Sequence, residues 1–227
     1  MSKSALLKSS LAKKYWMAAT GLFLCLFLVG HLAGNLQLFI PGEEGRLQFN
    51  AYAKFMTTNP AVKILSYLTY FSILFHAVDG LLLTIGNRRA RPIDYKYSRP
   101  AANSPWTSRN MGILGTIILV FIVLHMRSFW YEMHFGEIGT DSEGNKDLYT
   151  TVITFFSGQT GLIFAAAYAL AMAAIAFHLM HGFSSAFQSL GLRTPKLAKS
   201  LKIVGYAFAI VVPLLFASIP FYLNATN

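Results

Sequence analysis

Residues 15–40 read YWMAATGLFLCLFLVGHLAGNLQLFI, a run without one Lys, Arg, Asp or Glu. About 20 apolar residues in a helix cross a hydrocarbon layer roughly 30 Å thick, so this run is long enough to cross once. Four further stretches read the same way, and the expected helices fall at about 15–40, 62–85, 110–131, 154–187 and 203–222. Helices are expected rather than strands, because backbone groups in lipid must be satisfied within their own segment. Composition points the same way: 55% of residues are hydrophobic and 12% charged, against about a quarter charged in soluble domains. The expected fold class is an all-α integral membrane protein, one domain over residues 1–227 with five transmembrane helices. The first run is too long for a signal-peptide core and lacks a small-residue cleavage pattern, so it is expected to be retained.

The net charge of +10 raises the question of nucleic acid. The basic residues, however, sit in loops between spans, and no basic stripe interleaved with aromatics occurs, so no nucleic-acid partner is expected. With the N-terminus in the cytoplasm, the inner segments hold Lys3, Lys8, Lys13, Lys14, Arg88, Arg89, Arg91, Lys96, Arg99, Arg109, Arg193, Lys196, Lys199 and Lys202. The outer segments keep Arg46, Lys54, Lys63, Arg127 and Lys146, together with Glu43, Glu44, Glu132, Glu137, Asp141, Glu143 and Asp147. Lys and Arg favour the cytoplasmic side, which places the C-terminus outside. Tyr15, Trp16, Trp106, Trp130, Tyr131, Phe221 and Tyr222 mark span ends as interfacial aromatics do. The stretches 88–107 and 132–149 read as solvated connections. Cys25 is the single cysteine, which excludes an intramolecular disulfide and a cysteine metal cluster.

Ionisable residues inside spans are costly and therefore candidates for function. Four of the six histidines lie one to a span, at His31, His76, His125 and His178. At 1.5 Å of rise per residue, His31 and His125 lie roughly 15 and 10 Å below the outer ends of their helices. His76 and His178 lie roughly 15–20 Å above the inner ends of theirs. The four thus sort by depth into an outer pair, His31 with His125, and an inner pair, His76 with His178. Two imidazoles at one height on different helices can clamp one iron from opposite faces, the arrangement a b-type haem needs. Zinc would want more ligands at each level, and no cysteine or carboxylate stands ready. A lone intramembrane histidine is more often a helix–helix hydrogen-bonding group than a haem ligand; depth-matched pairs on four helices reverse that and favour two haems. His181 is an alternative to His178, and His134 is expected at the outer interface.

Both inner histidines begin the pattern H-x-x-x-G, as His76-Ala-Val-Asp-Gly80 and His178-Leu-Met-His-Gly182. Residues four apart share a helix face, so Gly80 and Gly182 are expected to clear space beside a flat cofactor. Gly30 and Gly34 flank His31.

The first helix, from Lys13-Lys-Tyr-Trp-Met-Ala-Ala-Thr-Gly21 to Gly30-His-Leu-Ala-Gly-Asn-Leu-Gln-Leu-Phe39, is followed by Phe49-Asn-Ala-Tyr52. Together they resemble the cytochrome b subunit of succinate dehydrogenase and fumarate reductase, in its single-chain, di-haem, five-helix form. The likeness continues through Phe75-His76-Ala-Val-Asp-Gly80, Leu124-His125 and Phe177-His178 to Ser185-Ala-Phe-Gln-Ser-Leu-Gly191. It covers nearly the whole chain, and His31–Phe39 is its most specific part. The resemblance implies two b haems on the four helix-borne histidines in a bacterial cytoplasmic (inner) membrane. It implies two partners on the cytoplasmic side, a flavoprotein subunit with covalently bound FAD and an iron–sulfur subunit. Electrons from succinate would reach membrane quinone through this chain, and the reverse flow would reduce fumarate. Where family members carry an acid close before the fourth histidine, this chain has Ala176 and Phe177; Asp79 is the one acid well inside a span.

Haem propionates call for cationic or hydrogen-bonding groups, with Arg88, Arg89 and Ser184 as inner candidates and Arg127 as the outer one. A quinone site needs a donor for each carbonyl and an apolar wall. Asn35, Gln37, Trp130 and Tyr131 offer these at the outer ends of the first and third helices, with Glu43 or Glu44 nearby. Two other readings stay open. One is the di-haem anchor of a hydrogenase, formate dehydrogenase or nitrate reductase, which shares the histidine logic without the His31–Phe39 stretch. The other is a haem-free membrane scaffold or transporter, for which no inverted repeat is found.

Overall fold

The computed structural model describes residues 9–90 and 99–227; Lys3, Lys8, Arg91 and Lys96 of the charge tally lie outside these. Helix α1 (Ser10–Asn35) starts on Ser9, whose Oγ accepts from Ala12 N at 3.1 Å, and ends in a 3-10 turn, Leu36–Phe39. Such a side-chain oxygen satisfies one of the amides a helix start leaves unpaired. A surface helix, α2 (Gly42–Thr58), leads to α3 (Pro60–Arg89), where Asn59 caps the amides of Ala61 and Val62 and Pro60 opens the helix. Proline suits that position because its missing N–H would have no intrahelical partner. Two short helices come next, α4 (Pro100–Asn103) and α5 (Trp106–Arg109). Helix α6 (Met111–His125) passes through a π-helical segment, Met126–Trp130, into α7 (Tyr131–Phe135). The chain ends with α8 (Leu148–Phe156), α9 (Gly158–Ser189) and α10 (Ala198–Thr226).

Among the described residues, five helical stretches are long and apolar enough to cross a membrane: Leu11–Phe39, Pro60–Arg89, Met111–Phe135, Gly158–Ser189 and Pro195–Thr226. The fold is an all-α membrane bundle. Many of its large apolar side chains point outward, Leu170 at 74% exposure and Leu26 at 68%, as suits surroundings of acyl chains rather than water. Helix α9 is the hub, packing on α1, α6, α8 and α10. Gly161, Ala165, Ala171, Ala174 and Ala186 lie buried along it, and small residues let membrane helices approach closely. Pro213 and Pro220 lie inside α10, which membrane helices tolerate when neighbours re-satisfy the freed carbonyls.

The fourth apolar stretch does not begin at residue 154 as one helix. Ser157 is extended (φ −84°, ψ 152°) and Gly158 takes φ +66°, the left-handed region that glycine enters without steric cost. Thr154–Phe156 therefore close α8, and the span begins at Gly158. A Cβ at Gly161 would collide with the Phe156 carbonyl. Asn224 Nδ2 from α10 donates to Phe156 O (2.7 Å) and Gly158 O (2.8 Å), satisfying acceptors the break would leave open.

Helices α2 and α8 cap one end of the bundle. There Leu38, Phe49, Tyr149, Val152, Phe156, Ala165, Ile219 and Leu223 form a buried core. Tyr149 Oη donates to Ile40 O (3.0 Å) and Tyr222 Oη to Phe39 O (3.2 Å). The connection 132–149 is not simply solvated: Asp141, Asn145 and Asp147 are buried. Asp147 Oδ2 accepts from Arg46 Nε (2.9 Å), and its Oδ1 from Asn50 Nδ2 (3.0 Å) and Thr150 N (3.1 Å). Asn50, fully buried, accepts in turn from Tyr149 N at 2.9 Å. Burial alone would raise the Asp147 pKa, but the Arg46, Asn50 and Thr150 hydrogen bonds outweigh it and hold the carboxyl at about 2, below its ordinary 3.8.

Because the folded pKa is the lower one, the stability Asp147 contributes is complete above about pH 4 and lost as pH falls through about 2. The advantage of the wild type over Asp147→Asn in a detergent-micelle melt should therefore shrink across that window. Asn50→Ala, which strands the Tyr149 amide, should cost about 2 kcal/mol at neutral pH.

Candidate functional site: two histidine pairs inside the bundle

Helices α1, α3, α6 and α9 each carry one of the four intramembrane histidines, and their packing brings the rings together in two pairs. His31 and His125 have ring centroids 5.8 Å apart and planes at 86°. His76 and His178 have centroids 6.0 Å apart and planes at 63°. The first pair lies toward the α2–α8 cap, at the ends of α1 and α6; the second lies deeper, mid-way along α3 and α9. His181, one turn beyond His178, makes no ring contact with His76.

Each ring is held by groups from its surroundings. Thr20 Oγ1 donates to Trp16 O at 2.7 Å, which uses its hydrogen, and stands 3.3 Å from His76 Nδ1. Thr20 Oγ1 also lies 3.2 Å from Met17 O, and with its hydrogen on a backbone carbonyl it could accept an Nδ1–H from His76, which would leave the Nε2 lone pair free. His125 Nδ1 stands 3.3 Å from Tyr168 Oη, a hydroxyl able to accept the same way. His31 Nδ1 has the Asn35 amide at 3.4 Å, but Asn35 Nδ2 is fixed as a donor to His31 O at 2.8 Å. That neighbour presents a donor to the ring and does not set an Nδ1–H. Among the described residues, His178 Nδ1 is the one fully buried side-chain nitrogen or oxygen without a hydrogen-bond partner. No hydrogen bond among the described residues reaches the Nε2 of any of the four. Aromatic rings pack around the upper pair: Phe27 and Phe216 against His31, Phe121, Phe129 and Tyr168 against His125.

The glycines divide into two kinds. A Cβ at Gly80 would stand 3.5 Å from Met17 Cε and one at Gly182 4.0 Å from His178 Cδ2, both ordinary contacts. The tight position is Gly21, where a Cβ would come within 3.1 Å of His76 Cε1; Gly115 on α6 lies 4.0 Å from His178 Cε1 on the same measure. Gly34 makes room for Tyr52, whose ring a Cβ would meet at 2.5 Å. Thr20, Gly21, Gly115 and Tyr168 are absent from the expected set. They act across helix interfaces, so spacing along their own helix carries no signal of them.

The remaining candidates are spread over two places. Arg127 forms an ion pair with Glu132, and its guanidinium sits 4.5 Å from the Tyr131 ring centroid. Trp130 Nε1 donates to Tyr70 Oη at 2.7 Å, and His134 stacks on the indole at 4.4 Å. Asn35 is engaged with His31, and Gln37 lies in the 3-10 turn. No hydrogen bond or ring contact among the described residues joins Asn35 or Gln37 to Trp130 or Tyr131. The π-helical segment Met126–Trp130 begins directly after His125; such segments occur mostly as local interruptions at functional positions. Among the described residues no three His, Cys, Asp or Glu side chains stand together, so the donor sets inside the bundle are pairs. No family model, curated protein or solved structure matches the chain.

Gly21→Val should push the His76 ring from its place and lower the melting temperature. Gly86→Ala, where nothing lies within 4 Å of the new carbon, should leave it unchanged or raise it slightly, since alanine suits a helix better by about 1 kcal/mol. Melts of both variants in the same detergent check this.

Proposed function

We propose that this chain is the membrane-anchor cytochrome b subunit of a succinate:quinone oxidoreductase, carrying electrons between an iron–sulfur partner and membrane quinone. The observation that carries the reading is the pair of imidazole pairs at two depths. A first-row metal takes an imidazole nitrogen at about 2 Å, so two rings clamping one ion have centroids about 6 Å apart; the rings here stand 5.8 and 6.0 Å apart. Two nitrogen donors per level leave the other coordination positions to a macrocycle, which fits haem better than a protein-only metal site. His31 with His125 would hold one b haem and His76 with His178 the other. When bound, haem supplies the one-electron redox chemistry that imidazole and amide groups lack.

The chain's own residues orient and insulate. Thr20 Oγ1 stands where it could accept the Nδ1–H of His76, and a ligating histidine commonly donates its other N–H to such a partner. Tyr168 stands in the corresponding place at His125. The apolar spans keep water from both pairs, and the aromatic rings around His31 and His125 hold those side chains against rotation. Arg127, two residues after His125 and paired with Glu132, would be the cation for a propionate there. Trp130 with Tyr70, and Asn35 with Gln37, are two groups of donors from which a quinone carbonyl could be held. The basic connections, at the end opposite the cap, face the cytoplasm in this reading and would receive the flavoprotein and iron–sulfur subunits.

Haem content with a reduced-minus-oxidised spectrum tests the proposal. The wild type should hold two low-spin b haems, and His31→Ala and His76→Ala should each lose one preferentially. Well-folded protein without haem would refute the electron-transfer reading and favour a scaffold or transporter.

A further inference from the structure

At the end of the bundle opposite the α2–α8 cap, α5, α9 and α10 enclose a groove of about 580 Å³ lined by Pro105, Trp106, Thr107, Phe177, Met180 and Tyr206. That volume falls within the range of about 300–1,000 Å³ common to small-molecule sites. Its lining is mostly apolar. Trp106 packs edge-on to Phe177 with centroids 5.5 Å apart and stays 53% exposed. The indole N–H of Trp106 and the hydroxyls of Thr107 and Tyr206 make no hydrogen bond among the described residues. Lys202, one turn from Tyr206, places its Nζ 5.9 Å from the Tyr206 ring centroid, and Lys199 lies one turn further along α10. Arg109 closes α5 three residues after Trp106.

We infer that this groove binds one anionic phospholipid. An acyl chain fits the apolar wall, the Trp106 and Tyr206 rings sit where interfacial aromatics sit, and Lys202, beside the Tyr206 ring, gives the rim the charge that attracts a phosphate. Basic pockets between spanning helices recruit anionic headgroups in this way. Phosphate and glycerol oxygens also match the three open polar groups, which a second apolar helix would leave unsatisfied. The inference rests on the membrane placement of the helices and is independent of the electron-transfer reading.

Tryptophan fluorescence of the full chain tests it, titrated in detergent with phosphatidylglycerol or phosphatidylcholine carrying brominated acyl chains. The phosphatidylglycerol should quench saturably at a mole fraction about fivefold lower than the phosphatidylcholine, the preference expected of one basic residue near the headgroup. Trp106→Phe should remove the saturable component and Lys202→Gln should bring the two lipids toward parity. Unlabelled phosphatidylglycerol should restore the wild-type signal, a readout that stands even if a variant fails to fold. Equal quenching by both lipids would overturn the proposal, as would relief by an added quinone but not by unlabelled phosphatidylglycerol.

Discussion

Hydrocarbon offers no hydrogen-bond partner, and every main feature of this molecule answers that constraint. The spanning backbone is helical because only a helix closes its own N–H and C=O groups within one segment. The same rule governs side chains. Thr20, Thr69, Thr84 and Ser66 return their hydroxyl hydrogens to carbonyls three or four residues back. Where the chain does break, at Ser157–Gly158, Asn224 arrives from α10 to take up the open carbonyls. Against that background the imidazoles stand out. Among the described residues, His76 and His125 have a hydroxyl near Nδ1, His178 has no hydrogen-bond partner there, and no hydrogen bond reaches Nε2 on any of the four.

The bundle is built differently at its two ends. At the capped end, α2 and α8 supply a core with the character of a small soluble domain, including the Arg46–Asp147–Asn50–Tyr149 chain of hydrogen bonds, whose Asn50 is fully buried. At the other end α5, α9 and α10 border an open, mostly apolar groove. The upper histidine pair sits toward the capped end and the lower pair nearer the open one. The reading as a two-haem electron carrier thus places one redox centre near a fixed, aromatic-lined rim. The other lies toward the basic connections from which soluble partners would be reached.

Much of the architecture was legible in the sequence, because uncharged runs of more than 20 residues have few alternative folds. The run at 154–187 misled at its start: Thr154–Phe156 are as apolar as the span beyond them, and only the conformation of Gly158 separates the two helices. Helix α2 gave no span signal, being amphipathic and too polar, and its buried face of Gly45, Phe49, Asn50 and Ala53 is defined by α8. The connection 132–149 looked solvated because acids and glycines usually are; Arg46 and Asn50, roughly a hundred residues earlier, draw its carboxylates inward. At the site, helix periodicity placed the histidines by depth. It could not supply Thr20, Gly21, Gly115 or Tyr168, which matter through contacts between helices.

The π-helical segment after His125 works as a phase shifter. One helical residue turns the chain by about 100°, so a single extra residue in Met126–Trp130 rotates α7 relative to α6 while His125 stays in register with His31. Arg127, Trp130, Tyr131 and Glu132 form a collar whose aim is set separately from the histidine's. Relatives that gained or lost one residue here would present a different rim to the membrane surface over an unaltered interior, a change of specificity written by length rather than by substitution.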